Sequence, residues 1–374
     1  MRVRLILLAI FSILQYIGLA AAEQNLSLSV SRSFFNPTLG EKVQITLRVP
    51  VSGALTLQVI DRDGFVARTL LSAKHVQPGT FSVDWTGHMD SGEIAPNEAY
   101  SLRGELVSNK DRSIYFPANA AAKSIDAVTH YYDRRSGTLR YQLPKAARVH
   151  AQAGTATTDP VTKEIEGPVM KTIVNREPRP AGTVAEHWNG FTSESEIYVP
   201  DLPNFAVAIA ATTLPENSVI TTGNREKTFL EGTAYRTGNS LFTFRPKDHH
   251  HHQGLTSVQD TSPDIELRPT NAKWSKQERL WTTSAETLML SGSLKGLAAP
   301  AFLPQPGKLL IFLDGQELQK IPPPKASHFD LEIPLSKVTD GVHIIAVNWG
   351  SEYGPTAVGG LRFKKSAKMS SVSK

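Results

Sequence analysis

The chain carries one motif twice. GFVARTLLSAKHVQPGTFSVDWTGH begins at Gly64, and GPVMKTIVNREPRPAGTVAEHWNGF begins at Gly167, in register without a gap over two dozen positions. Thr69 and Thr172, Gly79 and Gly182, Trp85 and Trp188, and Gly87 and Gly190 are kept; Leu70 and Leu71 become Ile173 and Val174. A repeat of about a hundred residues is a duplicated domain, since solenoid units are only 20–50 residues long. A length of 374 residues leaves room for two or three such domains.

The runs around the motif alternate apolar and polar residues as half-buried strands do. In the first copy these are VQITLRV (43–49), ALTLQVI (54–60), FVARTLL (65–71) and FSVDW (81–85), with a closing strand from Tyr100. In the second they are LRYQL (139–143), ARVHAQA (147–153), PVMKTIV (168–174), VAEHW (184–188) and FAVAIA (205–210). Asp63-Gly64 reads as a type I′ hairpin turn, because both central residues of that turn need positive φ. With 26 Gly and 24 Pro spread along the chain, and no amphipathic helical period beyond the N-terminus, the expected class is all-β. Trp85 and Trp188 are expected in the cores, and the repeated Gly residues at backbone positions that need them.

The stretch WTGHMDSGEIAPNEAY (85–100), preceded by DRDG and an R-T-L strand, resembles the immunoglobulin-like domain named after the flagellar hook-capping protein. Asn97 stands where that pattern has Gly, and is expected there for its tolerance of left-handed backbone. The likeness is good over residues 33–108 and partial over 130–223, where the loop after Trp188 lacks the Asp and Gly. It implies a small β-sandwich used as a building block in exported and surface proteins, and carries no site with it. A third β pattern, from LMLSGSL through the hairpin GKLLIFLDGQELQ to DGVHIIAVNWG, looks like a bacterial immunoglobulin-like domain. The expected fold is therefore three tandem immunoglobulin-like β-sandwiches: residues 23–112, 125–223 and 276–365, with a polar linker over 224–275 and a basic tail over 366–374.

Residues 1–22 have the form of an export signal: Arg2 and Arg4, an apolar run to about Leu19, and an Ala-x-Ala site at residues 20–22. The expected address is the periplasm, the cell surface or the extracellular space. No Cys occurs, which excludes disulfides, thiolate catalysis, covalent haem attachment and an acylated lipoprotein anchor. Removing the signal lowers the formal charge from +5 by the two arginines, too mild a surplus to point to nucleic acid.

Chemistry-bearing patterns are few. KDHHHHQG offers His249, His250, His251 and His252, with Asp248, as ligands for Zn, Cu or Ni; a solvated His-rich loop is the plain alternative. DRDG begins like a calcium loop but lacks the later oxygen ligands. His88, Asp90 and Glu93 share one polar loop, and Tyr131, Tyr132 and Tyr353 are the candidates for an aromatic sugar platform. No His-Glu-x-x-His, Gly-x-Ser-x-Gly or phosphate-loop motif is present. The sequence points to a noncatalytic exported structural or adaptor protein with envelope or extracellular protein partners. A periplasmic metal-binding protein and a carbohydrate-binding accessory protein are the alternatives.

Overall fold

The computed structural model describes residues 25–109, 111–120, 123–125, 128–158, 165–194, 196–232, 236–242, 262–352 and 354–367. The signal-like segment, the four histidines with Asp248, and the end of the basic tail lie outside the described residues.

The first region comprises β1 (Ser27–Val30), β2 (Phe34–Phe35), β3 (Val43–Val49), β4 (Gly53–Ile60), β5 (Val66–Val76), β6 (Gly79–Trp85), β7 (Ala99–Val107) and β8 (Arg112–Tyr115). The second has β9 (Ser124–Ile125), β10 (His130–Asp133), β11 (Thr138–Leu143), β12 (Ala147–Thr155), the short pair β13 (Thr157–Thr158) and β14 (Ile165–Glu166), β15 (Val169–Arg179), β16 (Gly182–His187), β17 (Phe205–Thr213) and β18 (Val219–Thr221). The third has β19 (Asp264–Pro269), β20 (Lys273–Ser275), β21 (Leu280–Thr283), β22 (Thr287–Lys295), β23 (Gly307–Leu313), β24 (Gln316–Ile321), β25 (His328–Pro334), β26 (Gly341–Ser351) and β27 (Thr356–Lys365).

These strands form three immunoglobulin-like β-sandwiches in tandem. In the first, β1-β3-β6 faces β5-β4-β7, with β8 on the outer edge of β7. The third repeats that order as β19-β22-β25 and β24-β23-β26-β27. The second gives β10-β11-β16 and β15-β12-β17. Each core forms between the two inner faces, where alternate residues such as Val43, Ile45, Leu47 and Val49 are buried. Trp85 and Trp188 lie in the first and second cores, as their kept positions imply.

The segment expected as a linker is partly structural. β19 pairs with β22 over six positions and β20 with β21, so the third sandwich begins near Asp264 rather than at residue 276. The sequence hides this strand, because its alternating Ile265 and Leu267 stand among prolines and charges. The described part of 224–242 lies against the first sandwich: Leu241 N–H donates to the Gly64 carbonyl at 2.8 Å, and Phe242 stacks on Phe116 at 5.8 Å.

The two Asp-Gly turns differ. Asp314 and Gly315 both have positive φ (49° and 83°), the type I′ geometry. At Asp61–Gly64 only Gly64 has positive φ (87°), and its N–H donates to the Asp61 carbonyl at 3.1 Å. That turn is type I closed by a left-handed Gly; the Asp61 side chain caps the N–H groups of Asp63 and Phe65 at 2.8 and 3.0 Å.

Candidate functional site: the junctions between sandwiches

The joint between the first two sandwiches is built by exchange of edge strands. After β17 the chain does not lay a seventh strand on its own sandwich. It runs back as β18, which pairs antiparallel with Ala99 and Tyr100 of β7 and parallel with β2. The vacated edge of β17 is taken by β9, from the segment that leaves the first sandwich. The outer edge of β7 is thus shared, β8 covering residues 104–107 and β18 covering 99–100.

A buried charge cluster sits beside this exchange. Glu98 precedes β7 and is 2% exposed; it accepts from Arg62 at 3.0 Å and from Arg148 of the second sandwich at 2.8 Å. Burial opposes ionisation of Glu98, but the guanidinium groups of Arg148 and Arg62 outweigh it and hold the carboxyl below its ordinary range. Arg236 donates to Asp61 at 2.9 Å and Asp63 at 2.6 Å. Arg62 and Arg236 both lie over the Phe229 ring, at 4.2 and 5.0 Å from its centroid. Burial pushes the Asp63 carboxyl up, against the opposing pull of Arg62 and Arg236. Thr221 of β18 completes the seam: its hydroxyl donates to the Pro96 carbonyl at 2.7 Å and accepts from Glu98 N–H at 3.2 Å.

Asparagines act as backbone-like clasps at these joints. Asn97 and Asn224 exchange bonds of 2.8 and 2.9 Å, tying the first sandwich to the returning chain. Asn97 is not among the residues with positive φ, so this clasp, rather than left-handed backbone, accounts for Asn at that position. Between the second and third sandwiches, Asn348 of β26 donates to the Val169 carbonyl at 2.7 Å and accepts its N–H at 2.8 Å. Asn175 makes the same reciprocal pair with Ser262, at 2.8 and 3.1 Å. The second core also contains Phe312 and Ala346, which belong to strands of the third sandwich. A cleft of about 760 Å³ lies where all three regions meet, lined by Arg62, Glu98, Arg179, Lys227, Phe229 and Lys295 among others.

The sequence candidates fare differently. His88, Asp90 and Glu93 do not converge: Asp90 accepts from Thr69 N–H at 3.1 Å, Glu93 pairs with Lys227 at 2.9 Å, and His88 lies beside the Thr86 hydroxyl. Tyr131 is exposed on edge strand β10, whereas Tyr132 is buried and donates to the Trp188 carbonyl at 3.0 Å. Tyr353, Asp248 and His249 to His252 lie outside the described residues. Among the described residues no group of three or more His, Asp or Glu is placed to hold a metal ion, and no helix is long and apolar enough to cross a membrane. The junction residues escaped sequence reading: in ARVHAQA, Arg148 alternates with the apolar positions as His150 and Gln152 do, and reads as an ordinary polar strand residue.

No protein-family model matches the chain, and no curated protein matches it. Among solved structures, a four-domain tandem repeat from the extending region of a large adhesion protein aligns at 11% identity over 92% of this chain and 74% of that one, with a TM-score of 0.21. A Ca2+-stabilized adhesin with which an Antarctic bacterium binds ice aligns at 11% over 93% and 75%, with a TM-score of 0.19. An endo-β-1,4-mannanase from Thermotoga petrophila aligns at 10% over 29% of this chain and 20% of its own length, with a TM-score of 0.21. Superpositions this loose carry no inference about function, and the strand orders above carry the fold.

Proposed function

We propose that this chain is a noncatalytic, exported scaffold that docks envelope or extracellular components and holds them at fixed spacing. The observation that supports this reading is the strand exchange between β9 and β18, reinforced by the buried Glu98 bridge. Independent beads on a flexible linker need neither a shared sheet edge nor a desolvated ion pair across the joint. Tandem domains with small polar interfaces move relative to one another by default, and shared strands remove that freedom. Exposed sandwich edges and loops then serve as docking points at defined separations. The test is cross-linking in intact cells, affinity purification of the mature protein and mass spectrometry. A partner recovered at near-equal amount supports the scaffold role; cross-links confined to the chain and its own copies contradict it. The His249–His252 run with Asp248 remains a proposed metal tether. Calorimetric titration with Zn, Cu and Ni decides it, since replacing all four histidines by Ala must then lower affinity by orders of magnitude.

A further inference from the structure

The β20–β21 hairpin is the outermost ribbon of the third sandwich, attached through β21 to β27. Trp274 and Trp281 stand directly opposite each other across it, ring centroids 5.4 Å apart and planes at 66°. The two rings have different surroundings. Trp281 registers with Phe363 and packs against the third core. Among the described residues no strand lies beyond Trp274, and it is the one exposed Trp, at 42%. A ring needed only as a lid for Trp281 has no reason to be this large or this open, since aromatic side chains draw their stability from burial.

The charge around it is one-sided. Lys273, Lys276 and Arg279 are exposed and pair with no acidic group among the described residues. The hairpin's single carboxylate, Glu278, is neutralised by Lys364 at 2.6 Å. Lys276 and Arg279 bound the loop that closes the hairpin, while Lys273, Thr282 and Lys364 share its reverse face by register. An aromatic face set among unpaired cations suits a ligand that offers both an apolar ring face and negative charge.

We propose that this hairpin binds an acidic polysaccharide, with the C–H face of one pyranose stacked on Trp274 and the carboxylates of neighbouring units met by Lys276 and Arg279 at the loop. A lipid surface fits less well. The tip that would meet headgroups first is Lys-Gln-Glu-Arg, and the one exposed ring lies back along the strand rather than at the tip. The site stands independently of the spacing role, because it uses no junction residue.

The experiment is equilibrium binding of the mature protein to polygalacturonate, alginate and hyaluronate, with dextran as the neutral glycan and vesicles of phosphatidylcholine and phosphatidylglycerol in equal parts as the lipid. The site predicts binding to at least one acidic glycan, weakened about tenfold or more by Trp274→Ala and by the pair Lys276→Glu and Arg279→Glu. Trp274→Phe should retain most of the affinity, and added salt should weaken binding because exposed charges are screened. An unchanged thermal midpoint in each variant separates lost binding from lost folding. Binding to none of the acidic glycans, equal binding to dextran, binding to vesicles alone, or indifference to Trp274→Ala would each overturn the assignment.

Discussion

At the scale of single residues, the repeated motif is explained by two backbone devices. Trp85 donates its indole N–H to the His88 carbonyl at 3.0 Å, and Trp188 does the same to Phe191 at 2.8 Å. Each ring therefore closes the loop that follows it while filling its core. Gly87 and Gly190 have positive φ, and a Cβ on either would strike Pro37 or Tyr198. A second device is shared without being legible as identity. Ala73 and Arg176 occupy equivalent positions, and both are non-Gly residues with positive φ (46° and 55°) at bulges in β5 and β15. Left-handed backbone costs an L-residue about 1–2 kcal/mol, of which the extra unfolded-state entropy of Gly offsets about half. Ala73→Gly should accordingly stabilise the protein by about 0.5–1 kcal/mol, read as a raised urea midpoint. His150 supplies the pH dependence. Burial, with Arg176 nearby, pushes its imidazole down to about 4. The unfolded chain takes up that proton near pH 6.5 and the folded chain does not until about pH 4. Stability is thus whole above pH 6.5 and falls as pH drops toward 4, by roughly 2–3 kcal/mol from this group by proton linkage. Denaturant midpoints at several pH values should fall less steeply in His150→Gln than in the parent.

At the scale of elements, the same strand position has two fates. Among the described residues the outer edge of β5 pairs with no further strand, and its bulge at Ala73 disrupts the ladder an intruding strand would need. The corresponding strand β15 is clasped to the third sandwich through Asn175 and Val169. Both edges carry the bulge, and a docked edge looks like an open one in the sequence, because the difference lies in what arrives from elsewhere. The long, regularly alternating strands were legible, as was the Asp314-Gly315 hairpin. β9 and β18 were not: strands of two and three residues leave no period to read, and their partners lie a domain away. The exchange has a local test in Thr221, which is buried and bonded to both Pro96 and Glu98. Thr221→Val keeps the shape but leaves the buried Glu98 N–H without its acceptor, while the Pro96 carbonyl keeps the Tyr100 hydroxyl, so it should cost about 1–3 kcal/mol. The loss should appear in the unfolding of the first and second sandwiches together, followed by hydrogen exchange at β7 and β12.

At the scale of the whole molecule, the proposed scaffold is three sandwiches acting as one mechanical body. The junctions, where the candidate site lies, were the least legible part of the sequence. Arg62 and Glu98 lie inside the DRDG and WTGHMDSGEIAPNEAY stretches, and Arg148 and Asn348 inside strand patterns, but nothing in those patterns names their partners, which only the fold brings to them. A buried carboxylate between two guanidinium groups is weak evidence of net stability, but removing it strands two desolvated cations at a cost of about 3–5 kcal/mol. Glu98→Ala should therefore loosen the first joint specifically, leaving the Asn348 and Asn175 clasps of the second intact. The absence of Cys makes the geometry directly measurable, since two introduced thiols are the only ones available to a spin label. Ser82→Cys on the first sandwich and Lys320→Cys on the third, both exposed, put one label on each terminal sandwich. Pulsed electron-electron resonance between those labels tests the central claim most directly. A rigid scaffold predicts one narrow distance distribution, broadened by Glu98→Ala; a broad distribution in the unmodified background, insensitive to that change, would contradict it.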